Sequence, residues 1–319
     1  MADVIMLNSR FSTTRNVTGQ KPTIVRRSGD KFDTTLFLPQ KEGRRAEGGL
    51  RKKGYFKTSL EEKPLLTVVT VVFNGQKHLE QTIQSVVNQS YDNVEYIVID
   101  GGSTDGTLDI IKKYDYVIDY WVSEPDGGIS DAFNKGIMLA MGKYVLLLNS
   151  GDAFIDHRKL DEAVGVLDHE VVAFQALTDT GNIFPDYVHL TTKVAPTRPF
   201  DMIENAIIAH QGCFVDLSVY KQFGLYNQKY KLRMDFDFFV RIQRQLAIKC
   251  IKKPIILYDT SGLSSSLKNR LLFKCEEKKI VNQYYQSRVF SLLFCLFTSV
   301  YLVKKTLSAF YYSFKGRNA

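Results

Sequence analysis

Aspartate, asparagine and serine gather where apolar runs end in this chain. LLTVVTVV (65–72) runs into FNG, NVEYIVI (93–99) into DGGSTDGT and KYVLLL (143–148) into NSGD, with EPDGGISDAFNKG (124–136) before the last of these. A parallel sheet delivers polar groups to one edge in this way, and a nucleotide sits at such an edge. In EPDGGISDAFNKG, Gly127 and Gly128 remove side-chain bulk so that backbone can approach a phosphate, just before a helix opens with its positive end. Asp126, Asp131 and Asn134 in that segment either face the nucleotide sugar or act as caps and turn formers. Further on, MDFDFFVRI places Asp235 and Asp237 at a helix start, where carboxylates are favoured. Asp237 either helps to orient the acceptor site around Asp235 or pairs with Arg241, and the four-residue spacing favours the ion pair.

The elements that must position these residues follow from periodicity. Strands rich in Val, Ile and Tyr are expected near 65–73, 94–100, 117–122 and 143–149. Helical spacing covers 77–88, 105–114 and 129–141, with Leu79, Ile83, Val86 and Val87 as one apolar face. Strands alternating with helices of this length make βαβ units with right-handed crossovers, so the fold class is α/β with a mostly parallel central sheet. Ser103, Thr104 and Asp105 read as caps of the helix that follows them. Beyond Asp152 a hairpin is expected around Asp179–Asn182, running into YVHLTT, then a helix over 234–248 and a strand in KCIKKPIILYD with Pro254 near its start. SGLSSS, with Ser261 and Ser264, reads as a loop.

Three regions differ in charge. Residues 1–63 carry 14 Lys and Arg against 7 Asp and Glu, residues 268–319 carry 10 against 2, and residues 64–267 carry 18 against 25. The formal net charge of +8 therefore belongs to the ends, and an acidic middle repels a phosphate backbone, which argues against nucleic acid as a partner. Residues 1–63 read as a basic, extended or partly disordered extension, 64–267 as the α/β domain, and 268–319 as a basic, apolar helical region. VFSLLFCLFTSVYLV (289–303) is bounded by Arg288 and by Lys304 and Lys305. Fifteen helical residues reach about 22 Å, short of the roughly 30 Å hydrocarbon core, so this segment is expected to lie in an anionic membrane surface or to pack on protein. Cys213, Cys250, Cys275 and Cys295 lack metal-ligand or disulfide-framework spacing, as do the histidines. The first 25 residues lack an apolar signal core, so the expected setting is cytoplasmic, peripheral on the inner face of the cell membrane.

Taken in order, VVTVVFNG, VIDGGSTDGT, NKGIMLAMGKYVLLLNSGD and MDFDFFVRI resemble the successive motifs of family 2 glycosyltransferases. The resemblance spans roughly residues 65–265 and implies a GT-A fold, a nucleotide-sugar donor such as a UDP-hexose, and inversion at the sugar's anomeric carbon. It implies that Val71, Phe73, Asn74, Asp100 and Ser150 contact the nucleotide, with the Phe73 ring beside the base and the Asp100 carboxylate accepting from uracil, or else Asp100 caps the approach to the helix that follows. It places the catalytic base at Asp235. Gly101 stands where the family commonly has a second aspartate. NSGD departs from the family's Asp-x-Asp-Asp, keeping Asp152 with Asn149 and Gly151 at the other acidic positions. A single carboxylate suffices for Mg2+ or Mn2+ when diphosphate oxygens and water complete the shell, so metal and nucleotide are expected to bind together. His210 and Gln211 resemble a His-Gln pair of the polysaccharide branch, as acceptor or phosphate contacts, or else His210 is a core histidine; Ser264 lies in a segment that closes over the donor. The acceptor implied is a lipid-linked or growing glycan in capsule, exopolysaccharide or O-antigen synthesis. The reduced acidic motif leaves a non-catalytic nucleotide-sugar scaffold open as an alternative. A dinucleotide-dependent dehydrogenase is excluded, because FNGQKHLEQ follows the first strand where G-x-G-x-x-G is required.

Overall fold

The computed structural model describes residues 4–184, 208–260 and 267–285. Elements are numbered in chain order. Strand β4 (Leu66–Val72) is buried along its whole length, as a parallel strand covered on both faces must be. Strands β5 (Val94–Asp100) and β7 (Tyr144–Asn149) flank it in parallel, and β6 (Tyr120–Ser123) lies parallel to β5. Val72 pairs opposite Asp100, Asp100 opposite Ser123, and Val71 opposite Asn149, so the carboxyl ends of all four strands finish along one edge. That register is what brings the polar segments together.

Helices α1 (Leu79–Val87), α2 (Thr107–Lys113) and α3 (Ile129–Leu139) make the crossovers. Each apolar face sits where its periodicity puts it: Leu79, Ile83, Val86 and Val87 are all buried. Helix α3 lies hard against β4 at Gly136, where a Cβ would stand 2.2 Å from Val69 Cγ1.

The second half of the sheet is mixed. Strands β8 (Ala153–Phe154), β9 (Val171–Thr178), β11 (Cys213–Asp216) and β12 (Lys249–Tyr258) continue it in the order β7, β11, β9, β12, β8. β11 runs antiparallel to β7 and β9, whereas β12 is parallel to β9 with its register broken at Pro254, which has no N–H to give the ladder. The expected hairpin forms between β9 and β10 (Ile183–Phe184); YVHLTT lies outside the described residues. Helices α4 (Lys159–Val164), α5 (Leu217–Phe223) and α6 (Met234–Gln243) complete this half, α6 stopping five residues before the expected end.

The basic N-terminal segment is not an extended arm. Strand β2 (Ala46–Gly48) adds antiparallel to β6 and extends the sheet, while β1 (Val17–Thr18) pairs with β3 (Phe56–Lys57). Arg51 is buried against Glu95 at 2.5 Å and also donates to the Leu36 and Leu139 carbonyls, while Glu95 accepts from Thr67 Oγ1 and Met141 N–H. Leu36, Leu38, Leu50 and Phe56 are buried too. The segment's charge count hides these few apolar anchors and the buried ion pairs of Arg51 with Glu95 and of Arg44 with Glu124.

Helix α7 (Leu267–Tyr285) likewise docks on the domain, with Ile280 and Val281 fully buried. Its Glu276 accepts from three consecutive backbone N–H groups, of Lys231, Leu232 and Arg233, just ahead of α6. Among the described residues no helix is long and apolar enough to cross a membrane. The apolar run 289–303 lies outside them.

Candidate active site

Two carboxylates that lie 83 positions apart in sequence share one polar cluster. Asp152, at the end of β7, is 2% exposed and accepts from Asp259 N–H at 3.0 Å and from Asn149 Nδ2 at 3.2 Å. Asn149 Nδ2 also stands 3.3 Å from His210 Nε2, and His210 Nδ1 stands 3.4 Å from Asp235 Oδ2. With the histidine proton on Nδ1, both ring contacts are satisfied at once: Nε2 accepts from the amide and Nδ1 donates to the carboxylate. His210 is therefore the bridge between the two acids, held edge-on against Phe133. Gln211 is buried in the same turn.

The two acids sit in opposite electrostatic situations. Burial is the main influence on Asp152 and pushes its carboxyl up to about 6, despite the hydrogen bonds and the neighbouring His210. Burial also acts to raise Asp235, but the His210 hydrogen bond and the Arg233 charge outweigh it and hold the carboxyl below its usual range. The Asp235 side chain keeps 19% exposure, so a hydroxyl can reach it. Its helix is fixed from behind: Glu276 ties the loop 231–233, and Arg233 bonds Glu277 while lying over the Phe236 and Phe273 rings.

At the nucleotide edge the expected residues divide. Phe73 is 66% exposed at the end of β4. Asn74 follows at φ +51°, a left-handed conformation asparagine tolerates, and its Oδ1 accepts from Thr104 N–H. Asp131 accepts from Gly127 N–H and Gln228 Nε2, and Asp126 accepts from Gly128 N–H, so both shape the glycine loop. Asp105 accepts from Thr107 N–H in the turn just ahead of α2, whose N-cap position is Gly106, and Ser103 Oγ accepts from Asn74 N–H and donates to Asp100, so none of the three residues expected as caps occupies the cap position. Ser150 Oγ is buried without a partner.

Four further expectations are corrected. Asp100 is fully buried, its oxygens taken by Ser103 and by Ser123 Oγ, so it braces the loop and presents no oxygen to a base. The Val71 side chain lies in the core, leaving only its backbone at the edge. Asn134 clamps both backbone polar groups of Tyr226, each at 2.9 Å, instead of facing a sugar. Asp237 has no ion pair with Arg241: it accepts from Tyr284 OH at 3.2 Å, while Arg241 turns to the Leu225 carbonyl. Ser261 and Ser264 lie outside the described residues.

Two carboxylates, Asp126 and Asp259, enter where glycine makes room. A Cβ on Gly101 would stand 2.7 Å from Asp126 Oδ2, and one on Gly151 (φ +111°) would stand 2.9 Å from Asp259 Oδ2. Asp259 escaped the sequence reading although it ends an apolar strand before small residues, the same signature as the other polar segments. Thr82 was also missed; its hydroxyl donates to the Asp152 carbonyl and accepts from Gly151 N–H, locking the NSGD turn.

The model of "Glycosyl transferase family 2" matches residues 67–249, more than half of the chain. The chain belongs to this family. Similar relatives of this glycosyltransferase include an uncharacterized glycosyltransferase of Mycobacterium tuberculosis, 29% identical over 63% of this chain and 78% of its own length. The putative teichuronic acid biosynthesis glycosyltransferase TuaG of Bacillus subtilis is 29% identical over 51% of this chain and 65% of its own. Among solved structures, TarS of S. aureus in complex with UDP-GlcNAc superposes with a TM-score of 0.54 at 16% identity, covering 69% of this chain and 71% of that one. The mannosyltransferase PcManGT of Pyrobaculum calidifontis, in complex with GDP-Man and Mn2+, gives 0.52 at 15% identity over 70% and 65%. These likenesses establish the α/β fold of the glycosyltransferase.

Proposed function

We propose that this glycosyltransferase moves a hexose from a UDP-sugar to a hydroxyl of a lipid-linked or growing glycan, with inversion, in cell-surface polysaccharide assembly such as capsule, exopolysaccharide or O-antigen. The observation that carries the reading is the contact chain Asp152–Asn149–His210–Asp235, which joins the diphosphate side of the cleft to a carboxylate that can take a proton. The donor class is supported by TarS with UDP-GlcNAc and the pathway by the name of TuaG. Peripheral attachment at the inner face of the cell membrane is supported by the basic ends and the apolar run 289–303.

Asp235 is the base. Ionised at neutral pH and oriented by His210, it receives the acceptor hydroxyl's proton as that oxygen attacks the anomeric carbon from the face opposite the nucleotide. Because its basicity is held low, the proton moves late, once the attacking oxygen has become acidic through partial bonding to carbon. Phe73 packs beside the base, and Gly127 and Gly128, whose N–H groups are held by Asp131 and Asp126, leave the loop free of side-chain bulk where the phosphates approach.

The residues fit Mg2+ or Mn2+ as a partial site. Among the described residues no group of three or more His, Cys, Asp or Glu could hold a metal alone. The oxygens at hand are the Asp152 carboxylate, with Asn149 Oδ1 and Ser150 Oγ buried and without partners, an all-oxygen set that suits a hard ion. A divalent ion bound there with the donor supplies positive charge against the departing diphosphate.

The test is a panel of nucleotide sugars assayed for metal-dependent release of the nucleotide diphosphate and for transfer, repeated with Asp235→Asn. The variant is expected to bind donor as before and to lose about 10²–10⁴-fold in transfer, the usual worth of a general base. Unchanged transfer by Asp235→Asn, or release from no donor in the panel, overturns the proposal in favour of a nucleotide-sugar scaffold.

A further inference from the structure

A cavity of about 430 Å³ opens at the far end of α6 from the base, lined by Lys31, Phe223, Arg241, Arg244, Gln245 and Tyr284. Asp235 and Arg241 are six residues apart on one helix, which separates the cavity from the base by about 9 Å along the axis. Three of its lining residues are cations, and among the described residues none of them has a carboxylate within ion-pair distance; every salt bridge found is made by other residues.

The convergence is built into the fold. Lys31 is fixed by its backbone N–H to the Lys221 carbonyl at 2.9 Å, so the N-terminal segment delivers its ammonium to the end of α5. Arg241 donates to the Leu225 carbonyl at 2.8 Å, and its Nε is buried without any hydrogen-bond partner. Gly224, at φ +88°, leaves room between two of the cations: a Cβ there would stand 3.4 Å from Lys31 Cδ and 3.8 Å from Arg241 Nη1. The acids of the surrounding elements are committed elsewhere. Asp237 on α6 is buried and accepts from Tyr284 OH; burial raises its carboxyl against the pull of the neighbouring Arg241 charge, with which it makes no ion-pair contact. Asp30 on the N-terminal segment pairs with Lys221.

Two guanidiniums and an ammonium without an ion-pair partner around a concave wall repel cations and basic peptides, and match the several oxygens of a phosphate through forked N–H donors. Tyr284 also places the cavity at the end of α7, and within a few residues the sequence passes Arg288 and turns apolar for fifteen positions. We infer that this cavity is a second anion site, separate from the nucleotide edge, which takes the phosphate of a membrane lipid headgroup.

The experiment uses the full chain and reads binding, so it is independent of whether sugar is transferred. Sedimentation with vesicles of phosphatidylcholine and phosphatidic acid at 4:1 is compared with phosphatidylcholine alone, and inorganic diphosphate is titrated by calorimetry in parallel. Lys31→Gln with Arg244→Gln tests the cavity, and both side chains are exposed, so folding is kept; Lys21→Gln with Lys112→Gln removes the same charge from exposed sites elsewhere. The cavity pair is expected to weaken binding to the acidic vesicles at least tenfold, and the control pair less than threefold. Weakening of diphosphate binding alone reassigns the site to a soluble phosphoanion and overturns the headgroup assignment. Equal losses in both pairs, or no loss in the cavity pair, overturn the site.

Discussion

Asp152→Asn is expected to make the protein more stable while abolishing its chemistry. The folded chain holds the Asp152 carboxyl at about 6 against an ordinary 3.8, and burial is the main cause. Between those two values the folded state keeps a proton that the unfolded chain has lost, so stability falls as pH rises from about 4 to about 6 and then levels off. Each pH unit between the two is worth about 1.4 kcal/mol, so the buried charge costs about 3 kcal/mol at pH 7. Asparagine carries no charge and can still accept from Asp259 N–H, but its amide must face Asn149 Nδ2, a lost hydrogen bond of about 1 kcal/mol. The net expectation is a gain of about 2 kcal/mol at pH 7 that disappears by pH 4, read from urea unfolding at both pH values, together with loss of metal-dependent donor turnover. A variant that is less stable than wild type at pH 7, or whose difference does not change with pH, would show that the carboxylate is a structural cap for the Asp259 turn.

The remaining expectations concern the edges of the fold. Arg51→Ala leaves Glu95 buried without its partner and is expected to cost about 3–5 kcal/mol in urea unfolding; a loss below about 1 kcal/mol would return residues 1–63 to the status of a detachable arm. Phe73→Ala removes an exposed ring that packs on nothing in the core, so thermal unfolding should not move. The donor KM should rise by roughly 5- to 150-fold, the 1–3 kcal/mol that stacking on a base supplies. An unchanged KM would remove Phe73 from the site.

The alternation from Leu65 to Asp152 was legible because buried parallel strands leave continuous apolar runs and their crossover helices leave 3.6-residue periodicity. Observed strands such as Leu66–Val72 and Tyr144–Asn149 lie within one residue of the expected bounds. The N-terminal segment was not legible, since its incorporation rests on isolated leucines and on Arg51 meeting a glutamate 44 positions away. The same physics separates the residues that meet in the polar cluster from the corrected ones. Asp152 and Asp235 could be placed from local pattern, whereas Asn134 and Asp237 are claimed by partners 92 and 47 positions distant, which no local spacing reveals. The Asp237–Arg241 pair failed for a related reason: helical spacing brings two side chains into reach, but a buried carboxylate beside a tyrosine hydroxyl and a guanidinium beside a free carbonyl have competing offers.

The departures from the family's acidic pattern bear on whether this is an enzyme or a scaffold. Gly101 and Gly151 stand at positions where the family commonly has aspartate, and read alone they look like losses of charge. In the structure each glycine is the space into which another carboxylate projects, Asp126 at the first and Asp259 at the second. A side chain at either position would displace the acid now there, so the acidity of each corner is supplied from a different part of the chain. The rearrangement leaves the turn at 149–152 lined by oxygens, with Asn149 Oδ1 and Ser150 Oγ still without partners. Buried polar atoms left in that condition cost stability unless something binds them. Two of them beside a carboxylate burdened by its own charge are groups that a diphosphate and a cation would relieve, which is the arrangement expected of a site that works only when its donor is bound.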